Sequence, residues 1–60
     1  MQRQTLTVKD VANYLGVHTD TVYTMVKINQ IPHLKLGKRI LFTRESIDLW
    51  MADQVKKSIK

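Results

Sequence analysis

LTVKDVANYLGVHTDTVYTMV, residues 6–26, holds two short helical patterns on either side of a break at residues 16–18. A break this short sets two helices at a steep angle, as in a helix-turn-helix. We expect the rest of the chain to fold around this pair of helices.

The first helix of the pair has sequence signals at both of its ends. Thr7 suits the N-cap position, and Asp10, three residues later, suits the partner position of a capping box. Gly16 suits the C′ position, where a left-handed residue ends a helix, and Val17 supplies the apolar contact that often follows. These signals predict a helix over residues 8–15.

The second helix starts again almost at once, capped by His18 or Thr19. Val22, Met25 and Val26 form its inner face by helical spacing. Its outer face carries Thr19, Asp20, Thr21, Tyr23, Thr24 and Lys27. Short hydroxyls and an exposed tyrosine suit close approach to phosphates and base edges. The alternative is a polar helix face without a partner, and the basic composition favours binding over it.

The chain carries ten basic and five acidic residues, for a net charge of +5, and no cysteine. Seven of the bases and three of the acids follow residue 30, so the positive charge is concentrated in the second half. A basic excess of this kind favours a polyanionic partner. We expect one small domain without disulfides, membrane spans or a signal peptide, located in the cytoplasm.

HLKLGKRILF, residues 33–42, predicts a β-hairpin with its turn at Gly37. Two registers are open. A two-residue turn pairs Leu36 with Arg39, whereas a three-residue loop pairs Leu36 with Ile40 and gathers four apolar side chains on one face. We favour the three-residue loop. It places Lys38 and Arg39 at the exposed tip of the hairpin and Lys35 on its outer face. A basic hairpin tip suits a phosphate backbone or minor groove. Charges that merely protect an edge strand are the alternative, and the preceding helix pair favours the binding interpretation.

A third helix follows the hairpin, with Thr43 as its predicted cap. Its apolar positions at helical spacing are Ile47, Trp50, Met51 and Val55, and Trp50 is the expected largest anchor of the core. Lys56, Lys57 and Lys60 suit the helix C-terminus. The predicted organisation is an N-terminal flexible arm over residues 1–5, a single domain over residues 6–57 and a tail over residues 58–60.

The order LTVKDVANYLGV, a T-V-Y helix, IPHLKLGKRILF and TRESIDLWM resembles the excisionase-type, MerR-like winged helix-turn-helix domain, over about residues 5–52. The resemblance implies an α+β, mostly helical fold: helix, helix, two-stranded hairpin wing, helix. It implies that the second helix enters the DNA major groove and that the hairpin is the wing. By position, the implied DNA-binding residues are Thr19, Thr21, Tyr23, Thr24 and Lys27 on the helix, with Lys38 and Arg39 on the wing and Lys35 beside them. The chain departs from the family pattern at His18, Asp20 and Thr24.

The resemblance implies a bacterial or phage-encoded, nucleoid-associated protein that binds double-stranded DNA. An excisionase, or recombination directionality factor, binds sites near a recombination junction, bends the DNA and directs the integrase to excision. Expected partners are then a recombinase and adjacent copies of the chain. A small MerR-like transcriptional regulator is the second hypothesis. The third is a protein-binding adaptor that uses Tyr23, Leu41 and Leu49.

An enzyme is not expected, because the sequence has no Ser-His-Asp order, no phosphate-binding glycine loop and no Walker-type lysine. His18 and His33 are the only histidines and make a poor metal set without cysteine. We therefore expect no metal, no cofactor, no small-molecule effector and no membrane partner.

Overall fold

The computed structural model describes residues 5–58 of the chain, which form three helices and a small three-stranded antiparallel sheet. In chain order the elements are β1 (Thr5–Leu6), α1 (Val8–Leu15), α2 (Thr19–Lys27), β2 (Leu34–Leu36), β3 (Arg39–Thr43) and α3 (Arg44–Ser58). The architecture is mostly helical α+β and confirms the predicted winged helix-turn-helix arrangement, with one strand more than expected.

Both ends of α1 are formed by the predicted residues. The backbone N–H of Asp10 donates to Thr7 Oγ1 at 3.1 Å, and the Thr7 N–H donates to Asp10 Oδ2 at 3.0 Å, which completes a capping box. At the other end Gly16 adopts φ +73°, and the Val17 N–H donates to the Ala12 carbonyl at 2.9 Å. This is the Schellman pattern, so the glycine ends α1 without the steric cost that a Cβ would add.

The short connection leads directly into α2, with His18 at the N-cap position. Its side chain makes no capping hydrogen bond, so His18 gives the first N–H groups of α2 no side-chain acceptor. The helix ends at Lys27, and Asn29 takes a left-handed conformation with φ +57° while the Gln30 N–H donates to the Met25 carbonyl at 2.8 Å. Asparagine tolerates this conformation better than most residues, which explains why α2 ends here.

A strand at the start of the described chain was not predicted. Thr5 pairs with Thr43 and Leu6 with Phe42, so β1 lies against β3 and the sheet order is β1-β3-β2. The assignment of Thr5 to a flexible arm is therefore wrong, and residues 1–4 of that predicted arm lie outside the described residues. The pairing ties the beginning of α1 to the hairpin.

The favoured hairpin register is also wrong. Leu34 pairs with Leu41, Lys35 with Ile40 and Leu36 with Arg39, which is the two-residue turn at residues 37–38. The glycine at the first turn position has φ +63°, and turns of this length match the twist of the flanking strands when that residue has a positive φ. The hairpin does not need to gather its four apolar side chains on one face to cover β3. The neighbouring strand β1 already places the apolar side chain of Leu6 beside Phe42.

The core lies between α1, α2, β3 and α3. Its buried members are Val8, Val11, Ala12, Val22, Ile31, Phe42 and Ile47. Phe42 is the largest fully buried side chain, so the expectation for Trp50 is wrong: it is only partly buried and its Nε1 donates to the Gln30 carbonyl at 2.9 Å. An indole whose N–H can bond a carbonyl of the connection after α2 lies more favourably at the margin of the core than inside it.

The third helix begins at the predicted residue, but its last turns do not pack against the core as predicted. Thr43 Oγ1 accepts from the Ser46 N–H at 3.1 Å, which confirms the cap. Val55, expected to face inward, is 59% exposed because the core ends before the last turns of α3. This helix includes Ser58, so the predicted tail is helical at its first residue; Lys60 lies outside the described residues.

Candidate nucleic-acid interface

The outer face of α2 is a continuous exposed polar surface. Val22 is fully buried, and Met25 and Val26 pack against the core, which fixes the rotation of the helix about its axis. The side chains left exposed are those predicted from the sequence: Thr19, Asp20, Thr21, Tyr23, Thr24 and Lys27. This face consists of hydroxyls, one carboxylate and one ammonium group, a composition that can donate to or accept from base edges and phosphates.

Two residues lie at the centre of this outer face. Side chains are spaced by about 100° around a helix, which places Asp20 and Thr24 farthest from the buried Val22 side. Thr21 lies at one flank, and Tyr23 lies on the side that faces the hairpin. The Thr24 hydroxyl donates to the Asp20 carbonyl at 3.0 Å, within the helix.

A cleft of about 320 Å³ joins α2 to the hairpin and to the start of α1. Its lining combines three cations with a phenol, in this set of residues: Thr7, Val8, Lys9, Tyr23, Lys38, Arg39, Ile40 and Leu41. Ammonium, guanidinium and phenol groups are donors that bind phosphate oxygens, and guanidinium can do so in bidentate fashion. The cleft is therefore suited to a phosphate group of a nucleic-acid backbone.

The structure brings together three of the predicted site residues in this cleft and leaves others apart. Tyr23, Lys38 and Arg39 line it, although Arg39 is the first residue of β3 and not part of a loop. Lys35 pairs with Ile40 and so shares the face of that inward residue, which corrects its predicted outer-face position; it remains exposed. Lys27, at the end of α2, is exposed outside the cleft.

Lys9 belongs to the cleft but was not predicted from the sequence. It lies 29 positions before Lys38 in the chain, and the β1–β3 pairing together with the packing of α1 on β3 brings the first turn of α1 beside the hairpin. A local signal existed, since a cation in the first turn of a helix meets the positive end of the helix dipole. Lys9 therefore adds nothing to the stability of α1, and its side chain is exposed.

The ion pairs in the described part of the chain lie away from this cleft. Arg44 lies 4.0 Å from Asp48 and 5.0 Å from the Tyr14 ring centroid, while Lys57 lies 3.3 Å from Asp53. Within residues 5–58, none of the three cleft cations takes part in an ion pair. Their charge is therefore available to an external anion.

Other kinds of site have little support in the described part of the chain. No three residues among its histidines, aspartates and glutamates are grouped to hold a metal ion, and His33 Nδ1 is 2.9 Å from the Ile31 carbonyl oxygen. Over the same residues, none of the helices combines the length and apolar character needed to cross a membrane.

The comparisons with known proteins identify the family. A helix-turn-helix domain model matches residues 5–55. No curated protein and no solved structure gives a significant match. Since the family model covers most of the chain, including α1, α2, the hairpin and most of α3, the chain belongs to the helix-turn-helix domain family.

Proposed function

We propose that this DNA-binding helix-turn-helix protein recognises specific sites on double-stranded DNA by placing α2 in the major groove and the hairpin on the adjacent backbone. The observation that carries the proposal is the cleft in which Lys9, Tyr23, Lys38 and Arg39 meet beside the exposed face of α2. A groove-facing helix next to a phosphate-binding cleft provides both base contacts and positioning contacts.

The two parts of this surface divide the work of binding. The α2 face carries one ammonium and one carboxylate, from Lys27 and Asp20, so its charges cancel and it adds little electrostatic attraction. The cleft contributes three cations within a small volume. We assign sequence selection to α2 and most of the electrostatic affinity to the cleft, because phosphate contacts position a protein without reading the bases.

The finer function that we propose is that of an excisionase, a factor that binds near a recombination junction, bends the DNA and directs an integrase to excision. The sequence motifs from the first helix to TRESIDLWM support it by resemblance. The concentration of cations at one flank of α2 is compatible with bending, because it attaches the backbone firmly on that side of the groove-facing helix.

A small MerR-like transcriptional regulator is the second candidate, since the same DNA-binding surface serves either role. A protein-binding adaptor is the third. Leu49 and Tyr23 are 66% and 52% exposed, as an adaptor surface requires, whereas Leu41 is partly buried in the hairpin. The basic cleft favours DNA over this third role.

The test begins with footprinting on the DNA that flanks the chain's own gene, together with affinity measurements across a salt series. Three to five phosphate contacts predict a log–log salt slope of about −3 to −4.5. Repeated protected sites beside a recombination junction, with blocked excision in a deletion mutant, support the excisionase. Altered transcription without an excision defect supports the regulator, and salt-insensitive or absent DNA binding contradicts the DNA-binding proposal.

A further inference from the structure

We infer that Thr24 selects thymine through its side-chain methyl group and not through its hydroxyl. The inference rests on the proposed placement of α2 in the major groove. Thr24 is exposed and lies near the centre of the outer face of α2, so that a helix in the groove directs this side chain towards the bases. The chemistry that it offers there is set by one hydrogen bond within the helix.

The Thr24 hydroxyl donates its hydrogen to the Asp20 carbonyl at 3.0 Å. A threonine hydroxyl has one hydrogen, so this bond removes the group as a donor to the major-groove acceptors, which are guanine N7 and O6, adenine N7 and thymine O4. The bond also restricts rotation about the Cα–Cβ bond. The methyl group on the same Cβ is left to contact a base.

Thymine is the base that presents a methyl group, on C5, in the major groove. Contact between two methyl groups removes apolar surface from water and requires no hydrogen-bond geometry. The hydroxyl oxygen keeps lone pairs that can accept from an adenine or cytosine amino group. However, the Asp20 carboxylate, one turn earlier on the same face, is the stronger acceptor for such a group. The methyl is therefore the feature that distinguishes Thr24 from its neighbour.

The chain offers a matched control on the same helix. Thr21 is also exposed but lies at the flank of the face, and within residues 5–58 its hydroxyl makes no intramolecular hydrogen bond. A change from threonine to serine removes the same methyl group at both positions. If the central position alone reads thymine, then only the serine variant at Thr24 changes the response to a missing thymine methyl.

The experiment replaces each thymine of the footprinted site in turn by deoxyuridine, which lacks the C5 methyl but keeps the same base pairing. Affinities are measured for the wild-type chain and for Thr24→Ser, Thr24→Val and Thr21→Ser. At one thymine per bound copy, deoxyuridine should lower the affinity of the wild-type chain about threefold to fivefold. This factor corresponds to the free energy of burying one methyl group. The Thr24→Val and Thr21→Ser variants should lose affinity for the deoxyuridine site by the same factor. The Thr24→Ser variant should bind the thymine and deoxyuridine sites equally well.

Thermal unfolding of each variant is the control, and the exposed substitutions should leave the fold intact. The inference is overturned if no thymine is sensitive to deoxyuridine, or if Thr24→Ser shows the same sensitivity as the wild type. If either result is obtained while the chain still binds its site in a salt-dependent manner, the role of Thr24 is wrong but the proposed function is unaffected. A chain that binds no DNA contradicts the proposed function itself.

Discussion

Asp20 places a negative charge on the face of α2 that we expect to enter the DNA major groove, between two phosphate backbones. It is exposed near the centre of the outer face of α2, and within residues 5–58 it forms no ion pair. Its position in the first turn of α2 is favourable for the helix itself, because a carboxylate there meets the positive end of the dipole. Helix stability and DNA affinity therefore make opposite demands on this residue.

Substituting Asp20→Asn should raise the affinity for DNA, because it removes repulsion from the backbone. An exposed charge of this kind is worth about 0.2–1 kcal/mol, so the expected gain in affinity is about 1.4-fold to fivefold at low salt and declines as salt screens the charge. Asp53→Asn, which removes an equal charge on α3, is the control and should leave affinity unchanged. A loss of affinity confined to sites with one particular cytosine or adenine would instead show that Asp20 accepts a base amino group.

At the scale of elements, the helix-turn-helix depends on the connection between α1 and α2. Gly16 has φ +73°, and an added Cβ there would have no heavy atom within 4 Å. A side chain at this position is thus opposed by its own backbone conformation and not by crowding. The connection between the two helices therefore needs a residue at position 16 that tolerates a left-handed backbone.

Gly16→Ala should destabilise the domain by about 1–2 kcal/mol, the cost of the left-handed conformation for an L-residue. For a domain of this size each kcal/mol corresponds to about 4–8 °C in Tm. Gly16→Asn is the matched control, because asparagine adopts this conformation more readily and should lose less. Calorimetry distinguishes the two variants, and equal losses would show that the effect does not come from the backbone conformation.

The hairpin supplies the second prediction at this scale. Lys38→Ala combined with Arg39→Ala should weaken binding to all DNA sequences alike and make the log–log salt slope shallower by about 1.8, for two phosphate contacts. The control removes the same charge from α3, by Lys56→Ala with Lys57→Ala, and should leave the slope near the wild-type value. Unchanged affinity in the hairpin variant would contradict its assignment as a DNA-binding wing.

Across the whole molecule, the predictable features are those whose cause is local. The caps at Thr7 and Thr43 and the end of α1 at Gly16 depend on residues within a few positions of each other, and the structure confirms them. The exposed face of α2 followed from helical spacing in the same way.

The unpredicted features share a long-range origin. The pairing of Leu6 with Phe42 spans most of the domain, and it determines both the presence of β1 and the apolar environment of β3. The predicted hairpin register is wrong because it assumes that four apolar side chains need a common face, whereas β1 and the helices already cover β3. Leu34 and Leu36 consequently remain 47% and 59% exposed.

The same long-range pairing gives the last prediction, which concerns Lys9. Because β1 holds the first turn of α1 beside the hairpin, the Lys9 side chain lines the cleft with Lys38 and Arg39. Lys9→Ala should make the salt slope shallower by about 0.9, the value of one phosphate contact, with similar losses on specific and non-specific DNA. Lys9→Arg should preserve the slope, since it keeps the charge, and Lys56→Ala controls for the change in net charge. If Lys9→Ala behaves like Lys56→Ala while the hairpin variant still weakens binding, α1 does not contact the backbone, and the DNA-binding surface is confined to α2 and the hairpin.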